Sequence, residues 1–413
     1  MNTKLFFDPF QSMKYSFHLE LKNIMKKCLN LFWLCFITFS ISNAQEISPI
    51  KLNELLKKAQ ETNSEAVIVY HNGHLIAENY FGLGNPDKRI ESMSSTKSIV
   101  ALAVACMLTD HLIDSLDIPV ANYFPEWRQG QKELITIRHL MTMTSGLQNN
   151  PNAGVEIYPS PDFVQLALAA ELSNKPGEVW SYNNKALNLM AGVIEKVTGK
   201  RMDIYIGERL FKPLGINDFT WSLDEVGNPH VMAGCQIKPG DFAKIGVLLL
   251  NEGKFDNEII ISEKYFSEII TPTVQYEGYG MLWWLDYEKT IYTVDDEIIL
   301  KLQLAGIDEE FIKEVKKMKG IYYSVEDYSE KLNEVFGPNP GKYISEKLGP
   351  NLSLRRREFS GKVSYRADGY LGNYIIVDPN TKIVAVRMIT HQSFKEEKDN
   401  FAEFRKMVLS LTD

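Results

Sequence analysis

The chain has 413 residues, 45% hydrophobic and 24% charged, with 26 Gly and 17 Pro. That balance belongs to a globular protein with a substantial core, built as one large or two interlocked domains. A formal net charge of −8 and the lack of any long basic run argue against a nucleic-acid partner.

The N-terminus reads as a targeting segment. Lys26 and Lys27 precede an apolar run at 28–41 that ends in Ser42-Asn43-Ala44, a small-residue cleavage pattern. The run is too short for a membrane span. Residues 1–44 are therefore assigned to a leader and signal peptide, with Met25 opening a conventional one. The mature chain is expected outside the cytoplasm, periplasmic or secreted, with no stable membrane insertion. Removal of the leader takes away five Lys and two acids and moves the formal charge from −8 to −11. Cys106 and Cys235 remain; Cys106 reads as a small buried hydrophobe, and pairing of the two after export stays open.

Residues 65–81 alternate in polarity and break at Asn72-Gly73, which predicts a two-stranded hairpin. Residues 94–110 carry Ile99, Val100, Ala103, Val104 and Met107 at helical spacing, placing Ser94 at a helix N-terminus. Helices are predicted over 163–172, 185–197 and 241–251, the last two closed near Gly199 and Gly253. Residues 288–355 are dense in Lys and Glu and break into short helices ending at Gly306, Gly320, Gly337 and Gly349, with a capping pattern at Ser324. They read as a helical insertion, either a solvated appendage or a lid. Strands return at 371–377 and 382–388 around the turn Asp378-Pro379-Asn380-Thr381, and a final amphipathic helix is predicted over 394–411. Strands at both ends with helices between predict a sheet completed by the C-terminal segment.

Ser94 and Lys97 stand three residues apart in Ser-Met-Ser-Ser-Thr-Lys-Ser. On a helix that spacing puts both on one face. A serine hydroxyl is a poor nucleophile until a nearby group takes its proton, and a partly desolvated lysine can do so. The plain alternative is that Ser94 only caps the helix. Further on, Pro176-Gly177-Glu178-Val179-Trp180-Ser181-Tyr182-Asn183-Asn184 precedes a helix, and Thr142-Met143-Thr144-Ser145-Gly146-Leu147 comes before it.

Taken in order, these motifs resemble the serine β-lactamase and penicillin-binding-protein superfamily. The similarity is closest to its class C-like branch, which includes esterases, D-amino-acid peptidases and 6-aminohexanoate-dimer hydrolases. It extends over roughly 60–284 and 360–410. The resemblance implies an α/β (α+β) fold of β-lactamase/transpeptidase type: a mostly antiparallel sheet flanked by helices, with a helical region inserted. The catalytic domain is then 45–287 with 356–413, and 288–355 is the insertion. It also implies an exported serine hydrolase with no metal or organic cofactor, acting on a small-molecule or short-peptide ester or amide. In that frame Ser94 is the nucleophile, Lys97 the base beside it and Tyr182 the tyrosine held near the serine oxygen. Asn184 becomes an amide that contacts lysine and substrate. A Lys97⁺/Tyr182⁻ pair, each lowering the other's pKa, would shuttle the proton.

The third family motif departs. Where penicillin-recognising relatives carry Lys-Thr-Gly or His-x-Gly, this chain has Ala367-Asp368-Gly369, followed by Tyr370. Gly369 still permits close approach, and the Tyr370 N–H can pair with that of Ser94 as an oxyanion hole. The cation that would grip a β-lactam carboxylate is gone. Two readings of Asp368 stand: it receives a substrate ammonium, or it points to solvent or pairs with Arg366. Trp180, Trp283 and Trp284 read as core before substrate platform, and 142–147 as a supporting turn. A D-aminopeptidase or D,D-peptidase acting on cell-wall peptides, a weak β-lactamase, and a non-catalytic peptide-binding protein on the same fold are the rival functions.

Overall fold

Asn72 and Gly73 both take positive φ, 51° and 79°, the backbone that a two-residue hairpin turn requires. They join strand β1 (Ala66–His71) to β2 (His74–Tyr80). The computed structural model describes residues 46–412 apart from 339 and 349–351, so the expected leader at 1–44 lies outside the described residues. Ile47–Asp413 form one compact unit.

Five more strands complete the main sheet: β3 (Trp284–Val294), β4 (Gly320–Tyr322), β5 (Arg356–Gly369), β6 (Asn373–Asp378) and β7 (Ile383–Met388). Their order is β2-β1-β7-β6-β5-β3-β4, and neighbours run antiparallel throughout. The last two strands of the chain thus close the gap between the N-terminal hairpin and β5. Strands β1, β6 and β7 are almost wholly buried, as strands covered on both faces must be.

Four helices provide that cover: α1 (Pro49–Glu61), α2 (Thr96–Thr109), α3 (Pro239–Leu250) and, at the C-terminus, a short helix at Phe404–Leu409. Helices α2 and α3 lie on one face, where Ile99 shares a core with Ile68, Ile375, Val377, Val384 and Val386. Residues 96–108 of α2 are all buried, so this helix is central to the domain and has no solvated stripe. Gly246 lets α3 settle on the sheet; a Cβ there would lie 2.5 Å from Val384 Cγ1 and 2.8 Å from Ile375 Cγ2. On the other face Leu55 and Ala59 of α1 and Phe404 and Val408 of the C-terminal helix cover Val67, Val69, Ile376 and Ala385.

Residues 295–355 carry helices α4 (Asp296–Leu304), α5 (Glu309–Lys316), α6 (Val325–Phe336) and α7 (Gly341–Leu348). Asp295, Asp308 and Ser324 cap the first three through side-chain oxygens. Leu302, Phe311, Val315 and Met318 form a separate core with Tyr292 and Val294 of β3. Residues 288–294, expected to open the helical insertion, instead prolong β3. Gly320, expected to end a helix, opens edge strand β4.

Two other expectations change. The final helix is predicted over 394–411 but is a 3-10 turn at Glu397–Asn400 and a short helix at Phe404–Leu409. Buried Arg387 donates to the carbonyls of Asp399 and Asn400, and Phe401 between the two pieces sits at φ 50°, so the continuous helical ladder is broken. Leu371, predicted as strand, lies in a turn at φ 70° before β6 begins. Cys106 and Cys235 are both buried free thiols, so the pairing left open by the sequence is not formed.

Candidate active site

The run of hydroxyls before α2 divides its labour. Ser92 Oγ meets Thr96 Oγ1 at 2.9 Å, and Thr96 Oγ1 accepts from the Cys235 N–H. Ser95 donates to the Asn373 carbonyl at 2.7 Å and Ser98 to that of Leu282 at 2.8 Å. These four tie the start of the helix to three other segments. Ser94 alone from 92 to 98 stays partly exposed, and its oxygen accepts from Lys97 Nζ at 3.0 Å. It caps no helix, since neither the 3-10 turn at Met93–Ser95 nor α2 has a side-chain cap. The residue before it, Met93, is held at φ 51°. For a side chain with a Cβ this backbone is strained, and packing on Leu371 and Ile389 holds it there.

Lys97 is only 2% exposed. Its Nζ donates to Ser94 Oγ and, at 2.6 Å, to the carbonyl of Met232, and lies 4.9 Å from the centre of the Tyr182 ring. No carboxylate is among these partners. Burial without a counter-charge drives its pKa well below the ordinary 10.5. Tyr182 lies within hydrogen-bonding reach of Ser94, and burial pushes its phenol up to about 12, with the Ser94 contact pulling the other way. The expected Lys97⁺/Tyr182⁻ pair is thereby corrected. Desolvation disfavours the charged form of each, so the surroundings do not stabilise that ion pair.

The loop before Tyr182 is built from the 142–147 turn. Gly177 N–H and Ser181 N–H donate to the carbonyls of Thr144 and Met143, both at 2.8 Å. Gly146 sits at φ 75° with a would-be Cβ 2.3 Å from the Asn174 carbonyl oxygen, so glycine is required there. Asn183, the middle residue of Tyr-Asn-Asn, is a cap: its side chain accepts from Ala186 N–H at 2.8 Å and donates to the Leu147 carbonyl at 2.7 Å. Asn184 does not bond Lys97 as expected; its Oδ1 is buried without a partner. The lysine's second hydrogen bond goes to Met232, whose own N–H, with that of Val231, is held by Asn188 Oδ1 at 3.3 and 3.1 Å.

The end of β5 closes the site. A Cβ on Gly369 would lie 2.4 Å from the Ser92 carbonyl oxygen, so the strand passes directly against the turn that carries Ser94. Ala367 is fully buried in the same core as α2. Asp368 pairs with Arg366, which also bonds Asp286 at 2.8 Å; of the two readings of Asp368, this is the internally satisfied one. Tyr370 is 66% exposed and its ring lies near His391. Trp283 is buried core, whereas Trp284 stacks on Tyr182 with ring centres 6.3 Å apart and planes 15° apart. Among the described residues no three His, Cys, Asp or Glu side chains converge to hold a metal ion.

Sequence reasoning missed Met232, Asn188 and the stacking role of Trp284. A backbone carbonyl leaves no trace in residue identity. Asn188 does leave one: an amide inside the apolar run Ala186-Leu187-Asn188-Leu189-Met190 must find a partner.

A β-lactamase family model matches residues 52–254. Among curated proteins the chain is 24% identical over 188 residues to Protein flp of Staphylococcus aureus (strain MW2), covering 42% of this chain and 38% of that protein. It is 28% identical over 193 residues to Esterase EstB of Burkholderia gladioli, covering 40% and 48%. The chain thus spans less than half the length of these relatives. A putative 6-aminohexanoate-dimer hydrolase from Bacillus anthracis superposes with a TM-score of 0.61 at 18% identity, over 87% of this chain and 81% of that one, a likeness of fold. Ser94, Lys97 and Tyr182 all fall inside residues 52–254, and over that stretch the chain resembles the serine β-lactamase and penicillin-binding-protein superfamily, whose fold it shares.

Proposed function

We propose that the protein is an exported serine hydrolase that cleaves an ester or amide through a covalent acyl-enzyme on Ser94. One observation carries the reading: a buried amine with no carboxylate among its partners, Lys97 Nζ, lies 3.0 Å from a partly exposed hydroxyl, Ser94 Oγ. The Lys97 lone pair takes the Ser94 proton as Oγ attacks the substrate carbonyl carbon. The ammonium so formed has the Met232 carbonyl at 2.6 Å and the Tyr182 ring face at 4.9 Å to receive its charge. Negative charge on the carbonyl oxygen is met by the N–H groups of Ser94 and Tyr370. The neutral Tyr182 phenol gives its proton to the departing alcohol or amine and regains one from Lys97. Water then attacks the ester on Ser94 by the reverse route, giving acid and free enzyme.

The substrate is a small molecule or short peptide. Ala367 leaves no cation where penicillin-recognising relatives hold a carboxylate, which favours an esterase or amidase over a β-lactamase. Export rests on the N-terminal sequence pattern. A panel of p-nitrophenyl esters, D-amino-acid amides and nitrocefin, run with Ser94→Ala, tests the reading. Turnover that disappears in Ser94→Ala, with a fluorophosphonate adduct at Ser94, is expected. An unlabelled Ser94 would leave a peptide-binding protein on this fold.

A further inference from the structure

The sheet face opposite α2 carries a second concave site that the reaction above does not use. Strands β3 and β5 set Tyr292 across from Arg357 and Thr290 across from Phe359. These residues floor a cleft of about 390 Å³, whose walls come from Tyr276, from Val325 at the start of α6 and from Arg405 in the C-terminal helix. That volume lies at the small-molecule end of the range for ligand pockets.

Charge in the cleft is unbalanced. Arg357, Arg366 and Arg405 line it against a single carboxylate, Asp286. Asp286 is already engaged, by Arg366 at 2.8 Å and Arg405 at 3.7 Å. Arg357 has no such partner: among the described residues its guanidinium makes no hydrogen bond or ion pair, and it lies 4.2 Å from the centre of the Tyr276 ring. It is half-buried. Neighbouring Arg355 adds like charge, and burial holds Arg357 below the ordinary arginine pKa. A ring face compensates a desolvated cation only in part. The remaining donors of the fork face a cleft rich in aromatic surface.

We propose that this cleft binds a small organic monoanion, a carboxylate on an aromatic or apolar body, with the carboxylate on Arg357 and the body against Phe359 and Tyr287. The assignment stands apart from the hydrolase reading, since Ser94, Lys97 and Tyr182 take no part in it. Tyr276 connects the two places. Its ring also meets Trp180 at 4.8 Å and Trp284 at 6.5 Å, so occupancy has a fluorescent reporter beside Tyr182.

Isothermal titration of the full chain with 4-phenylbutyrate tests this, alongside its uncharged amide and inorganic phosphate. Saturable one-to-one binding is expected for phenylbutyrate. Affinity is expected to be about tenfold or more weaker for the amide and in Arg357→Met, and largely kept in Arg357→Lys. Absence of saturable binding, equal affinity for the amide, or an unchanged Kd in folded Arg357→Met would each overturn the proposal. Phosphate binding as tightly as phenylbutyrate would overturn the part assigned to the aromatic walls. If Arg357→Met does not fold, Phe359→Ala decides: a Kd raised several-fold supports the site, and an unchanged one removes it.

Discussion

A buried lysine whose pKa is depressed leaves a thermodynamic signature that needs no substrate. In the unfolded chain Lys97 titrates near its ordinary value of about 10.5, whereas in the fold burial depresses it well below that. The folded state therefore binds fewer protons than the unfolded state between the two values, and stability rises with pH across that window. The penalty is complete below the folded pKa, shrinks on the way up, and is gone above the unfolded one. Its slope is up to about 1.4 kcal/mol per pH unit. Lys97→Met keeps the chain length and removes the titration, while leaving the Met232 carbonyl without its donor, a pH-independent cost of about 1–3 kcal/mol. Urea unfolding of both proteins at several pH values from 7 to 9.5 isolates the term as the difference between them, because other groups cancel. Wild type is expected to gain on the variant as pH rises, by as much as 2–3 kcal/mol over two pH units. A difference that stays flat would mean that Lys97 is protonated in the folded protein, and the base role assigned to it would fail.

Three further outcomes follow from the site. Tyr182→Phe is expected to lower kcat/KM by about 10²-fold; because burial raises the wild-type phenol to about 12, the wild-type rate should show no loss from its ionisation up to pH 10, which a pH–rate profile checks. Gly369→Ala drives a methyl group toward the Ser92 carbonyl, and a shift of that order at the nucleophile turn should cost about 10²-fold in kcat/KM, read by steady-state kinetics. Asn188→Ala strips two buried N–H groups of their acceptor and frees the Met232 carbonyl. Urea unfolding should show a loss of about 1–3 kcal/mol, with kcat falling more than KM rises.

What could be read in the sequence was whatever local chemistry determines. The Asn72-Gly73 hairpin, the apolar helix after Ser94 and the closing strands around Asp378 follow from turn residues and spacing, and the structure has each of them. The order of motifs was enough to locate Ser94, Lys97 and Tyr182, which the fold brings together from segments nearly ninety positions apart. Charge states were not legible, because they depend on what surrounds a group rather than on what it is. The paired-ion idea for Lys97 and Tyr182 failed for that reason: nothing in the sequence says that no carboxylate comes near the amine. The C-terminal helix failed similarly. Its amphipathic pattern is real, but the buried guanidinium of Arg387, on the preceding strand, takes the carbonyls of Asp399 and Asn400.

Arg387 carries a wider consequence. Its guanidinium donates at once to Thr62 and Ser64 near the start of the domain, to Leu371 and Gly372 beside the end of β5, and to Asp399 and Asn400 near the C-terminus. The first and last segments of the folded unit are therefore pinned to the same cation that steadies the loop next to Tyr370. Trimming the tail, or fusing a bulky partner to it, would be transmitted to the catalytic rim through a single side chain, although neither Thr62 nor Asp399 is among the reacting groups.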